Sequence, residues 1–140
     1  MNVIDCQKVS KGFRRTNALE DVTFQLTDQR ITGLIGRNGA GKTTLLKVLA
    51  GLTKHKSGEV SVFGKNPYNN LMVSANSILV DDQMTFPDSL TLEEILRSAP
   101  AFYQRWDAQL AERLFQYFKL DSKQQHSKLS KGSRAAFNMI

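Results

Sequence analysis

The sequence predicts an α/β fold built around a phosphate-binding loop, and three observations carry that prediction. Short segments rich in β-branched and aromatic residues fill roughly the first third of the chain. A glycine-rich stretch, Gly36-Arg-Asn-Gly39-Ala-Gly41-Lys42-Thr43, follows the last of these segments and precedes leucines at helical spacing. Beyond Pro87 the apolar pattern turns helical.

Taken in order, residues 3–6, 22–26 and 31–35 read as strands: Val22, Phe24 and Leu26 alternate, and Gly, Asp or Asn bounds each run. From Lys42 the period changes, because Leu45, Leu46, Leu49 and Leu52 recur at helical intervals until Gly51 closes the helix. Residues 58–64 alternate between two glycines as a strand does, and residues 77–80 form a short apolar run of the kind found in buried strands. Thr91, three residues before Glu94, is a capping-box pattern leading into Leu92, Ile95, Leu96 and Ala99, with Pro100 as the stop. A second helix is expected from Asp107 through Leu110, Leu114, Phe115 and Phe118, its apolar residues forming a core stripe. Ser130 can cap a third, which runs past Arg134 toward Ile140 with no stop signal, so the chain is expected to end inside an element and to be shorter than a complete fold.

The chain is 140 residues long, the size of one ordinary domain, and 41 % of it is hydrophobic, enough to bury a core. No run approaches the eighteen or so apolar residues of a membrane span, and residues 1–11 lack a signal-peptide pattern, so transmembrane and secreted readings fall. The single cysteine, Cys6, cannot form an internal disulfide and is expected to be a buried thiol. His55 and His126 are expected at the surface. The net charge of +6 suits anionic partners such as a nucleotide, a nucleic acid or an acidic lipid surface. Lys123, Lys128, Lys131 and Arg134 concentrate that excess near the end, a run thin enough to be a solvated face.

Gly36 to Thr43 fits the G-x-x-x-x-G-K-[ST] pattern between a predicted strand and a predicted helix. At average residue usage a chain this long produces the pattern by chance about once in two hundred. The spacing has a physical reason. Glycines allow backbone N–H groups to converge on phosphate oxygens where a Cβ would block approach, and the helix N-terminus adds free donors and partial positive charge. Gly36, Asn38, Gly39, Ala40 and Gly41 supply that backbone, Lys42 a cation for the β- and γ-phosphates, Thr43 a hydroxyl for Mg²⁺, and Thr44 a donor to the α-phosphate.

Three further stretches, in order, make residues 3–140 resemble the nucleotide-binding subunit of an ABC transporter. Val9-Ser-Lys-Gly-Phe13 and Ala18-Leu-Glu-Asp-Val-Thr-Phe24 are similar to that family's first strand, its adenine-stacking aromatic loop and its second strand, which makes Phe13 the ring expected against adenine. Ile78-Leu-Val-Asp-Asp-Gln83-Met-Thr-Phe-Pro is similar to the family's glutamine loop. By resemblance Gln83 would touch Mg²⁺ or the attacking water and sense a membrane partner; a shift of one residue would give Asp82 that role. Leu129-Ser130-Lys131-Gly132-Ser133 resembles the signature Leu-Ser-Gly-Gly-Gln, with Lys131 and Ser133 departing from it. Ser130 and the Gly132 N–H would then face the γ-phosphate held by a second subunit.

The resemblance implies a P-loop NTPase of the ABC ATPase type. Its N-terminal antiparallel β part and loop core would occupy residues 1–86, a helical subdomain 87–130 and the start of the signature helix 130–140. The family's Mg²⁺-binding aspartate, catalytic glutamate and switch histidine follow the signature helix, so these residues alone are expected to bind nucleotide weakly or not at all and not to turn it over. The implied function is ATP hydrolysis with Mg²⁺, in a homo- or heterodimer, coupled to a membrane permease at the cytoplasmic face. Two competing readings are a nucleic-acid-associated ATPase, which the basic end modestly favours, and a non-catalytic regulatory piece.

Overall fold

The structure, a computed structural model, describes residues 2–13, 16–81, 83–103 and 105–140. They divide into two compact units, Met1–Leu79 and Val80–Ile140, each with its own apolar cluster.

The first unit opens with β1 (Asn2–Phe13) and β2 (Thr16–Thr27), a long hairpin, and β3 (Ser57–Val62) pairs with the other edge of β1. Both pairings are antiparallel, in the order β2-β1-β3. The strands are longer than the apolar runs that announce them because bulges absorb the polar residues between those runs. Register shifts flank Lys8, which is in the left-handed region at φ 50°, as is Asp21 at 47° on the facing strand. The Ser10 hydroxyl accepts from the Asp21 amide (3.0 Å) and donates to its carboxylate (3.3 Å), holding the irregular pairing. Helix α1 (Lys42–Leu49) packs Leu45 and Val48 onto Cys6, Val9, Leu19, Val60, Val62 and Val73. Cys6 is fully buried as expected, and burial, with a smaller push from Asp5, raises its thiol pKa to about 11, leaving it un-ionised at neutral pH. A short α2 (Leu71–Asn76), capped by Asn70, contributes Val73; no apolar period announces it.

Two expected strands do not form. Residues 31–35 and 77–80 have no strand pairing, and Ile31, Ile35 and Ile78 are largely exposed. An apolar run becomes a strand only where another strand offers its hydrogen bonds, and no described segment offers them here.

The second unit holds α3 (Leu92–Ser98), α4 (Ala108–Tyr117) and α5 (Lys131–Asn138), starting at side-chain caps Thr91, Asp107 and Ser130. Leu92, Ile95, Leu129 and Phe137 form the core, with Phe86, Leu90, Leu96, Phe115 and Leu120 around it. Pro100 does not simply stop α3: it sits in a 3₁₀ turn, Ala99–Ala101, that extends it. Leu110, expected in a core stripe, is 45 % exposed; α4 turns Ala111 inward instead. Helix α5 ends at Asn138, with Met139 as its C-cap, rather than running to Ile140.

The capping box at α3 yields a pH prediction. Glu94 accepts from the Thr91 amide and hydroxyl, both at 2.8 Å, and those bonds, helped by Arg97, lower its carboxyl pKa. A lowered folded pKa contributes stability that is present above the unfolded carboxyl range, about 4.3, and lost as pH falls through the folded value. Chemical denaturation against pH is therefore expected to show the native chain more stable than Glu94→Gln near neutrality, with the gap closing on acidification below about pH 4. A gap constant down to acid would contradict this.

Candidate phosphate-binding site

The glycine-rich loop lies between β2 and α1, and its shape follows from two glycines with positive φ. Gly39 is at 83° and Gly41, the N-cap of α1, at 86°, a region costly for residues with a Cβ. Gly41 faces a second constraint: a Cβ there would stand 2.1 Å from the Ala18 carbonyl oxygen and 3.1 Å from Leu19 Cδ2. Glycine thus lets the loop rest against β2. At Gly36 an added Cβ would meet Ala40 Cβ at 3.4 Å and the Lys42 stem at 3.8 Å, ordinary van der Waals contacts. The Ala40 amide closes the turn on the Arg37 carbonyl at 3.2 Å, and helical bonding starts with the Leu45 amide to Gly41 at 2.8 Å.

Lys42 folds back over this turn and donates to the carbonyls of Gly36 (2.7 Å) and Arg37 (2.8 Å). Its ammonium therefore sits over the loop, where an anion held by the amides would find it. Asn38 and Thr43 are exposed and Thr44 half-buried. α1 begins with no side-chain cap and no acidic residue in its first turn, whereas α2, α3, α4 and α5 each start with a side-chain cap. The first-turn amides of α1 are left for another acceptor, and an oxyanion suits them.

The other expected site residues are distributed over both units. Phe13 ends β1, 53 % exposed, with the Lys11 ammonium 5.0 Å from its ring centroid and anchored on the Lys54 carbonyl at 2.7 Å. One face of the ring thus carries a cation. In the second unit Gln83 is exposed, its amide donating to the Asp81 carboxylate at 3.0 Å. Asp82, the alternative for its role, lies outside the described residues. Ser130 caps α5, accepting from the Ser133 amide at 3.1 Å and donating to the Ser133 hydroxyl at 2.9 Å. An added Cβ at Gly132 meets nothing within 4 Å, so its face of α5 is open.

His126 departs from expectation. It is 3 % exposed and bonded to Asn138 at 2.7 Å. Neither residue stands out in the sequence; a lone histidine and a lone asparagine carry no spacing that would announce their contact.

A glycine-rich turn feeding an uncapped helix N-terminus, with the lysine of that helix over the turn, defines the class: a P-loop nucleotide-binding protein. The chain belongs to the ABC transporter family, whose profile matches residues 19–140. It is 25 % identical to the ABC transporter ATP-binding protein YtrB of Bacillus subtilis strain 168 over 138 residues, 99 % of this chain and 47 % of that protein. It is 30 % identical over 119 residues to the SkfA peptide export ATP-binding protein SkfE of the same strain, covering 85 % of this chain and 49 % of SkfE. Among solved structures, the ATP-binding subunit of an ABC transporter superposes with a TM-score of 0.81 at 29 % identity, over 98 % of this chain and 60 % of that one. A dimeric ATP-binding cassette in a post-hydrolysis state, bound to ADP and Pi, shares the fold at 20 % identity and a TM-score of 0.78, over 96 % of this chain and 67 % of that one. The chain spans about half the length of these curated relatives. No helix among the described residues is long and apolar enough to cross a membrane.

Proposed function

We propose that residues 1–140 are the nucleotide-binding part of an ABC transporter ATP-binding subunit, which takes ATP with Mg²⁺ and, in the whole protein, couples hydrolysis to transport through a membrane permease at the cytoplasmic face. The observation that carries this reading is the open start of α1 beneath the Lys42 ammonium. The loop fits a triphosphate. Gly36, Gly39 and Gly41 leave the space a Cβ would fill, the first-turn amides of α1 have no side-chain cap, and Lys42 can exchange two carbonyl contacts for phosphate oxygens. Bound Mg²⁺ would neutralise charge on the β- and γ-phosphate oxygens, with Thr43 and Gln83 as its proposed protein partners. Phe13 offers adenine the face not occupied by Lys11. Ser130 and Gly132 are proposed to meet the γ-phosphate of a second subunit, the assembly that the dimeric cassette sharing this fold supports. The matched relatives are transport ATP-binding proteins, which favours this reading over a nucleic-acid-associated one.

Titration of the chain with a fluorescent ATP analogue and Mg²⁺ tests the proposal. Saturable binding is expected, weak but competed by ATP, and Lys42→Ala should weaken it roughly ten- to hundredfold, the worth of hydrogen bonds from a charged donor. Binding unchanged by Lys42→Ala would reject the site.

A further inference from the structure

Helix α5 carries Ser130 and Gly132 at its start and a buried polar pair at its end. Asn138, 8 % exposed, lies between two partners: the His126 ring at 2.7 Å and the Asp81 carbonyl, to which its Nδ2 donates at 3.2 Å. A carbonyl only accepts, so the side-chain amide nitrogen must face Asp81, the amide oxygen must face His126, and His126 Nε2 must carry a proton. Aromatic rings enclose the histidine. Phe86 meets it edge-on with centroids 4.9 Å apart, Phe137 lies at 5.6 Å, and these two phenylalanines are themselves T-shaped at 5.8 Å. An apolar side chain in its place would leave the buried His126 N–H and the Asp81 carbonyl without this partner, so the amide both satisfies these groups and holds them in register. Its directional bonds supply a fixed position.

That position belongs to the turn bearing Gln83. The Asp81 carbonyl also accepts from the Met84 amide at 3.5 Å, and the Asp81 carboxylate accepts from the Gln83 amide at 3.0 Å, so Asp81 organises the backbone on both sides of Gln83. One turn before Asn138 on the same helix, Arg134 donates to the carbonyls of Ser127 (3.1 Å) and Leu129 (3.4 Å), in the segment that enters Ser130. We propose that Asn138, seated by His126, is a positioning residue that pins the Asp81 carbonyl and so ties the turn of Gln83 to the helix that begins at Ser130. A displacement of α5 is then passed to the turn of Gln83 by the directional bond of Asn138, beside the apolar contact of Phe137 with Phe86. The consequence for nucleotide chemistry rests on the roles proposed above for Gln83 and Ser130; the pinning does not.

Hydrogen–deuterium exchange of the 140-residue chain, with ¹⁵N NMR of its histidines, tests this without nucleotide. In the native chain His126 is expected to show a protonated Nε2, and the backbone amides of Gln83 and Met84, which donate to Asp81, to be protected. Asn138→Leu removes both bonds; exchange at the amides of Gln83 and Met84 should rise about fivefold, the worth of one hydrogen bond, while residues 92–98 stay as protected as before. Asn138→Asp keeps an acceptor for His126 and loses the donor to Asp81, so it should free the turn while His126 Nε2 stays protonated. Unchanged exchange at Gln83 and Met84 in a folded Asn138→Leu chain overturns the proposal, as does a rise spread evenly over the second unit. If Asn138→Leu does not fold, the native spectrum decides: an unprotonated Nε2 on His126 overturns it. A chain with native exchange and histidine signals that binds no ATP would instead refute the proposed function and leave the pinning intact.

Discussion

Replacing Gly41 by alanine is expected to remove measurable nucleotide binding, a loss of more than about a hundredfold. Two costs act together. Gly41 sits at φ 86°, where an alanine loses about 1–2 kcal/mol, and its Cβ would stand 2.1 Å from the Ala18 carbonyl oxygen, a separation that only backbone movement relieves. Movement lifts the loop from β2 and turns the first amides of α1 away from a shared focus. Gly39→Ala is the control: φ is 83° but nothing lies within 4 Å, so only the backbone cost applies and binding should fall about tenfold or less. Gly132→Ala, with open space and no positive φ, should leave folding unaffected. Fluorescent-nucleotide titration of the two loop variants checks the order, and urea unfolding checks Gly132→Ala. Equal losses at Gly41 and Gly39 would mean that the contact with β2 is not what shapes the loop.

The phosphate loop was legible because its chemistry is local. The glycines, Lys42 and Thr43 lie within eight consecutive residues, and the change from strand to helical spacing around them needs no knowledge of the rest of the chain. Two caps were legible for the same reason: Thr91 with Glu94 and Ser130 each bond within three residues, as does Asp107, which the sequence marked only as a helix start. Pairing is not local. Residues 31–35 have the composition of a strand, as β3 does, and only the presence of a neighbour with free N–H and C=O groups separates the two outcomes. The same blindness hid His126 and Asn138. Their bond spans twelve residues, and the ring of Phe86 that helps enclose them lies forty residues before the histidine, so an isolated histidine looked like a surface residue. Phe13, Gln83, Ser130 and Gly132 were reached through resemblance, and their exposure is compatible with binding without assigning it.

Leu92 and Leu110 sharpen the point, because both fall on helical apolar stripes and the structure treats them oppositely. Leu92 is fully buried among Ile95, Leu129 and Phe137, and its amide donates to the Gln124 carbonyl at 2.9 Å, so its side chain has no room to turn outward. Leu92→Ala should therefore remove both the transfer energy of the side chain and the packing around the cavity it leaves, about 2–5 kcal/mol. Leu110 is 45 % exposed, and truncating it forfeits only part of that transfer energy with no cavity, less than about 1 kcal/mol. Trp106, the single tryptophan, lies in the same unit and stacks near Tyr103 with centroids 6.4 Å apart, so its fluorescence during urea unfolding reports on both variants. A shift several-fold larger for Leu92→Ala is the expected result. Equal shifts would show that α4 buries Leu110 in solution, and the stripe read from its spacing would then describe the helix better than the burial of Ala111 does.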